Sequence, residues 1–160
     1  MIFRSPIIKL AKVSGLEGRL VGCHFFNPPA VQRLVEVIFS DLTTDRLQVL
    51  TLDLVKAMHK TAVEAKDVAG FIGNGYFIRE GLFAFSLLRE LSEQMSVSDA
   101  VGVIDAVTKD GLMRPMGVFE VIRYVGLDVF KLICCVMARY VSEETFDLEV
   151  VDMYEQDILV

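Results

Sequence analysis

Histidine is scarce in this chain, and so are the other residues from which metal and disulfide sites are built. Two histidines, His24 and His59, and three cysteines stand among 160 residues. Neither C-x-x-C nor H-x-x-x-H spacing occurs, so no metal site is expected. Cys134 and Cys135 are adjacent, and with Cys23 they do not make a disulfide framework. Free thiols in a reducing compartment, the cytoplasm, are the expectation. No apolar run reaches the roughly 18 residues that span a bilayer. The opening "MIFRSPIIKLAK" lacks the apolar segment and cleavage site of a signal peptide, so no membrane partner is expected. Basic residues are outnumbered 16 to 22 and scattered, which argues against nucleic acid. The acidic excess is greatest in the tail "SEETFDLEVVDMYEQD". No strand is followed by G-x-G-x-x-G, so no dinucleotide phosphate site is expected in these residues.

What is present is apolar and patterned. The chain is 53% hydrophobic with a mean hydropathy of +0.48, the composition of a globular protein. Residues 5–13 suit a short helix with Ser5 as cap and Pro6 at its first position. "RLVGCHFF" (19–26) reads as a buried strand, stopped by "NPP" because proline has no donor for a ladder. "RLVEVIF" (33–39) reads as a second strand. Residues 43–60 are helical, with Leu47, Leu50, Leu54 and Met58 on one face and Thr44 as a cap. "TAVEAKD" (61–67) alternates as a strand does.

Beyond Gly70 the signals are helical. Residues 70–94 are apolar on several sides, with Leu82, Phe85 and Leu88 on one face and Phe83 and Leu87 on another. Such a helix is a core helix or one covered by a partner chain. "SVSD" (96–99) is a capping box for a helix ending at Lys109 and closed by Gly111. Helices at 118–124 and 127–140 come next, separated at Gly126. The expected fold is mostly α: the truncated end of a Rossmann-type α/β domain with two or three short strands over residues 1–67, then an all-α domain over 68–160.

Three residues invite chemistry. His24 ends an apolar strand; it is either a structural histidine bonded to backbone or a general base. Cys23 cannot form a dyad with it, because strand neighbours point to opposite faces. Glu36 interrupts "LVEVIF"; it either faces solvent at an edge or is buried and paired. Two strands joined by a short connection can bring positions 24 and 36 side by side, and a carboxylate on one ring nitrogen sets the tautomer of the other. Asn74, in "AGFIGNGY", is either a helix cap or a hydrogen-bond donor to a substrate oxygen.

"GCHFFNPP…LVEVI", "AKDVAGFIGN" and "GLMRPMGVFEVIRYVGLDV", in that order, resemble the NAD-dependent 3-hydroxyacyl-CoA dehydrogenases from about residue 5 to about residue 140. The resemblance implies that His24 takes the proton of the substrate's 3-hydroxyl as hydride passes to NAD. It implies that Glu36 holds His24, that Asn74 contacts substrate and that Asn27 belongs to the active-site structure. It also implies an acyl-CoA substrate, a place in fatty-acid metabolism and β-oxidation, and a homodimer built by the helical domain. The family's glycine-rich NAD-binding unit is not found here, so the chain is expected to be a fragment, inactive alone, with an incomplete NAD site. The family's serine-containing stretch falls on Met1–Arg4, where no serine stands; adjacent Ser5 is not given its role. Gly75 stands where Arg is usual, Val118 where Pro is usual, and Arg123 where an acidic residue is usual. The competing readings are a non-catalytic helical dimerisation module and a related dehydrogenase of small hydroxy acids.

Overall fold

The structure, a computed structural model, describes residues 6–142 and 144–158. It comprises two units, the first ending at Ile72 and the second beginning at Gly73.

The first unit is built from α1 (Ile7–Ser14), β1 (Gly22–Phe25), β2 (Leu34–Ile38), α2 (Asp45–Ala57) and β3 (Thr61–Ala65). The sheet order is β1-β2-β3; β1 and β2 are antiparallel, β2 and β3 parallel. "NPP" ends β1, and the backbone N–H groups of Val31 and Gln32 both donate to the Pro28 carbonyl, which turns the chain back. A parallel pair needs a crossover, and α2 supplies it. β1 and β2 are shorter than the apolar runs that contain them, and β3 ends at Ala65, ahead of Lys66 and Asp67.

β2 lies at the centre, and its two faces meet different partners. Val35 and Val37 pack against Val55 of α2. Ile38 packs against Ile7 of α1 and Ala65, with Leu20 and Phe71 beside them. Burial on both faces explains why β2 reads as a continuous apolar run rather than an alternating one.

Two expectations for the helices of this unit are corrected. Pro6 occupies the residue before α1, not its first position, and Ser5 lies outside the described residues. The N–H groups of Ile7 and Ile8 instead donate to the two carboxylate oxygens of Asp67, at 2.8 and 3.0 Å. In α2, Thr44 precedes the helix but makes no side-chain cap bond. The packed face of α2 carries Thr51 and Val55, whereas Leu50, Leu54 and Met58 are exposed. The sheet takes the Thr51–Val55 face of this helix and leaves Leu50, Leu54 and Met58 outside it.

The second unit is helical throughout: α3 (Gly73–Leu91), α4 (Val97–Asp110), α5 (Val118–Val125), α6 (Leu127–Tyr140), α7 (Leu148–Met153) and α8 (Glu155–Ile158). Phe85, Phe119 and Phe130 are fully buried at its centre. Phe85 meets Phe119 edge-on at 5.2 Å, and Phe130 lies 6.0 Å from Phe85. Gly81 lets α6 approach α3: a Cβ there would stand 2.4 Å from the Phe130 ring. Leu88 shares the buried face of α3 with Phe85, while Phe83 is 65% exposed. Ser96 caps α4 by accepting from the Asp99 N–H. Gly111 ends that helix in right-handed conformation, its N–H donating to Val107, so no left-handed cap is formed. The acidic tail holds two short helices that its composition hides. Asp147 caps α7, and Val150, Val151, Tyr154 and Ile158 are buried.

Candidate active site

The site lies on the α1 face of the small sheet. His24 on β1 stands directly opposite Glu36 on β2 in the antiparallel register. Opposed residues share a face with Cβ atoms about 5 Å apart, so their side chains meet. His24 Nδ1 lies 2.5 Å from Glu36 Oε2. Glu36 is 1% exposed, which excludes the solvent-edge reading. A buried carboxylate needs hydrogen-bond donors on its oxygens. Oε1 finds one in the Ile72 N–H, at 2.8 Å. A carboxylate only accepts, so Nδ1 carries the ring proton and Nε2 is left as the acceptor.

Two phenylalanines flank the imidazole. Phe26 lies 5.0 Å from it and Phe71 5.8 Å, both tilted. The imidazole side chain stays 20% exposed, enough to be reached from one side. Cys23 packs on the opposite face, beside Val35 and Val37, and burial pushes its thiol up from the usual range. It takes no part in a dyad with His24.

The loop after His24 is fixed by a residue that the sequence did not single out. Lys60 Nζ donates to the carbonyls of Pro29 and Gln32, at 2.6 and 2.7 Å, and lies 5.9 Å over the Phe25 ring. Asn27, exposed, opens this loop. Asp67 and Phe71 were also missed. "KDVAGF" reads as a connection, and its contacts come from residues 60 and 47 positions away, beyond any local pattern.

Asn74 belongs to the second unit. It is the second residue of α3 rather than the one before it, so it is not a cap; its side chain is half-buried. The second unit also holds a cleft of about 850 Å³ lined by Ser98, Gly102, Asp105, Lys109, Glu120 and Arg123. Two ion pairs line it, Arg123 with Asp105 at 3.2 Å and Lys109 with Glu120 at 3.6 Å. Among the described residues no group of three or more His, Cys, Asp or Glu could hold a metal ion, and no helix is long and apolar enough to cross a membrane.

The arrangement in the first unit is a partly exposed imidazole held by a buried carboxylate. Comparison with known proteins adds the chemical context. Residues 4–68 match the family model described as 3-hydroxyacyl-CoA dehydrogenase, NAD binding domain, and residues 70–157 match that of the 3-hydroxyacyl-CoA dehydrogenase C-terminal domain. The chain is 37% identical over 127 residues to the mitochondrial hydroxyacyl-coenzyme A dehydrogenase of Homo sapiens, covering 79% of this chain and 38% of that protein. It is 34% identical over 126 residues to a probable 3-hydroxybutyryl-CoA dehydrogenase of Bacillus subtilis, 77% of this chain and 41% of the other. Among solved structures, the (S)-3-hydroxybutyryl-CoA dehydrogenase of Ralstonia eutropha superposes with a TM-score of 0.81 at 27% identity, over 96% of this chain and 53% of that one.

Proposed function

The chain belongs to the 3-hydroxyacyl-CoA dehydrogenase family, and from that premise we propose that it carries the proton-transfer machinery of an oxidoreductase interconverting 3-hydroxyacyl-CoA and 3-oxoacyl-CoA. The chain spans about two fifths of the length of the human relative (38%), so the activity proposed is that of a whole protein containing these residues. The observation that carries the reading is the buried carboxylate held against one nitrogen of a partly exposed imidazole. With Nδ1 on Glu36, His24 Nε2 accepts the proton of the 3-hydroxyl and returns it in the reverse direction. Asn74 donates to a substrate oxygen, and Asn27 shapes the loop beside the base.

The family's cofactor is NAD, by the description of the matched domain. The described residues do not fit its phosphates. The connections after β1, β2 and β3 carry no G-x-G-x-x-G turn, so no backbone cradle for a pyrophosphate is formed among them. No step is therefore assigned to a nucleotide contact. The first unit is the end of the nucleotide-binding domain, and the second binds substrate and builds a homodimer. Tyr76 and Phe83, one exposed apolar face of α3, support the dimer. The three cysteines are free, which suits a reducing compartment such as the cytoplasm, and the substrate class suits fatty-acid metabolism.

The test is a chimera. The part of the Bacillus subtilis relative that precedes its match to this chain, placed ahead of this chain, should give NADH formation from (S)-3-hydroxybutyryl-CoA. His24→Gln should lower kcat by about 100- to 10,000-fold, the usual worth of a positioned acid–base group. Full activity in that variant overturns the reading.

A further inference from the structure

We propose that Phe71 is a positioning residue for His24, its ring closing one side of the imidazole so that Nδ1 stays on Glu36 and Nε2 keeps one direction. The inference rests on the reading of His24 as the proton acceptor, and it adds a residue that the family comparison does not assign.

An imidazole turns readily about its outer side-chain bond, because that torsion has a broad profile. The bond to Glu36 restrains one nitrogen; it does not by itself stop the ring from swinging about that contact. Phe26 supplies one wall, 5.0 Å away, but it lies only two residues beyond His24, just past the end of β1, and so shares the backbone that carries the imidazole. Phe71 supplies the other wall, 5.8 Å away, from the segment by which the chain leaves the first unit.

That segment is tied at both ends around Phe71. At its start, the Asp67 carboxylate accepts from the N–H groups of Ile7 and Ile8. At its end, the Ile72 N–H donates to Glu36 Oε1, the same carboxylate that holds the histidine. Phe71 itself has φ of 46°, a left-handed conformation that a bulky residue rarely adopts and that persists only where surroundings impose it. Here the imposing contacts are the Phe71 N–H bond to the Val68 carbonyl, 3.1 Å, and packing of the ring against the Ile7, Ile38 and Ala65 cluster. The left-handed turn aims the ring back at the imidazole. Glu36 and the exit segment thus hold each other, and His24 is held by both.

Loss of the wall should widen the range of Nε2 directions. A base that points correctly for a smaller fraction of time lowers kcat and leaves KM nearly unchanged.

The test uses the full chain and three variants. Phe71→Leu keeps apolar bulk without the ring, Phe71→Tyr keeps the ring, and Phe71→Ala removes both. The readout is the His24 Nδ1–H resonance, assigned by its disappearance in His24→Gln, together with the rate at which diethyl pyrocarbonate modifies His24 relative to exposed His59. Leu should abolish or broaden the resonance and speed modification of His24 alone, and Tyr should restore both. Circular dichroism confirms that Leu and Tyr are folded, so unfolding of the Ala variant leaves the comparison intact. An unchanged resonance and unchanged modification rate in folded Phe71→Leu overturns the proposal. In the chimera, Phe71→Leu should lower kcat with KM little changed; a loss confined to KM also overturns it. If His24→Gln leaves the chimera fully active while Phe71→Leu still frees the imidazole, the dehydrogenase reading fails and the ring restraint stands.

Discussion

Replacing Glu36 by Gln changes one oxygen into an NH2 group with almost no change in shape, and the hydrogen bonds on the carboxylate set its effect. In the wild-type arrangement each carboxylate oxygen accepts from a donor: Oε2 from His24 Nδ1–H, 2.5 Å, and Oε1 from the Ile72 N–H, 2.8 Å. Glutamine offers a single acceptor oxygen. If that oxygen stays on the Ile72 N–H, the amide NH2 faces Nδ1–H, and one buried donor loses its partner at a cost of about 1–3 kcal/mol. The alternative is to move the ring proton to Nε2, so that Nδ1 accepts from the amide. That relieves the clash and places a proton on the nitrogen that must receive one. Either outcome lowers activity, and the first also lowers stability. With a urea dependence of roughly 1–3 kcal/mol per molar, the midpoint of unfolding should fall by about 1 M. The assay is urea unfolding by far-ultraviolet circular dichroism, since the chain has no tryptophan. A nitrogen-15 spectrum of the two histidines then reports which ring nitrogen bears the proton. Unchanged stability together with a retained Nδ1–H would refute the reasoning, because the amide would then satisfy two donors with one acceptor.

Three further outcomes are expected from other parts of the structure. Asp67→Ala removes both acceptors at the start of α1 and should destabilise the first unit by about 1–2 kcal/mol, read as a lowered urea midpoint; Asp67→Asn should recover part of the loss. Gly81→Ala drives a methyl group to 2.4 Å from the Phe130 ring, and overpacking should cost about 1–3 kcal/mol in thermal unfolding; a neutral effect would mean that α3 and α6 separate easily. Iodoacetamide at pH 8 should label exposed Cys135 and spare Cys134, whose thiol burial pushes up to about 12, because only the thiolate reacts; mass spectrometry of the peptide separates the two.

Much of the fold was legible because its signals are local. Apolar runs, the prolines after Phe26 and the cap at Ser96 set the order of the elements, and the short connection between β1 and β2 brings His24 opposite Glu36. What the chain order conceals is tertiary. The cap of α1 comes from Asp67, 60 residues on, where no helix-start pattern can show it. Periodicity finds the Leu50–Leu54–Met58 stripe of α2, yet the sheet selects the neighbouring Thr51–Val55 stripe, and only packing distinguishes them. The helices at 148–158 are too short and too acidic to stand out, and they exist because Val151 and Ile158 are buried. For the site, a carboxylate amid apolar neighbours leaves a solvent edge and a buried pair both open in the sequence, and its 1% exposure selects the second; Ile72, which contributes a backbone N–H, carries no mark of its role in the sequence.

The central claim is that His24 moves the substrate proton under the control of Glu36. The most direct measurement is kcat of the chimera for (S)-3-hydroxybutyryl-CoA, in wild type and in His24→Gln, with substrate affinity measured alongside. The account predicts a fall of about 100-fold or more in kcat with affinity retained. Turnover unaffected by the loss of the imidazole would contradict it.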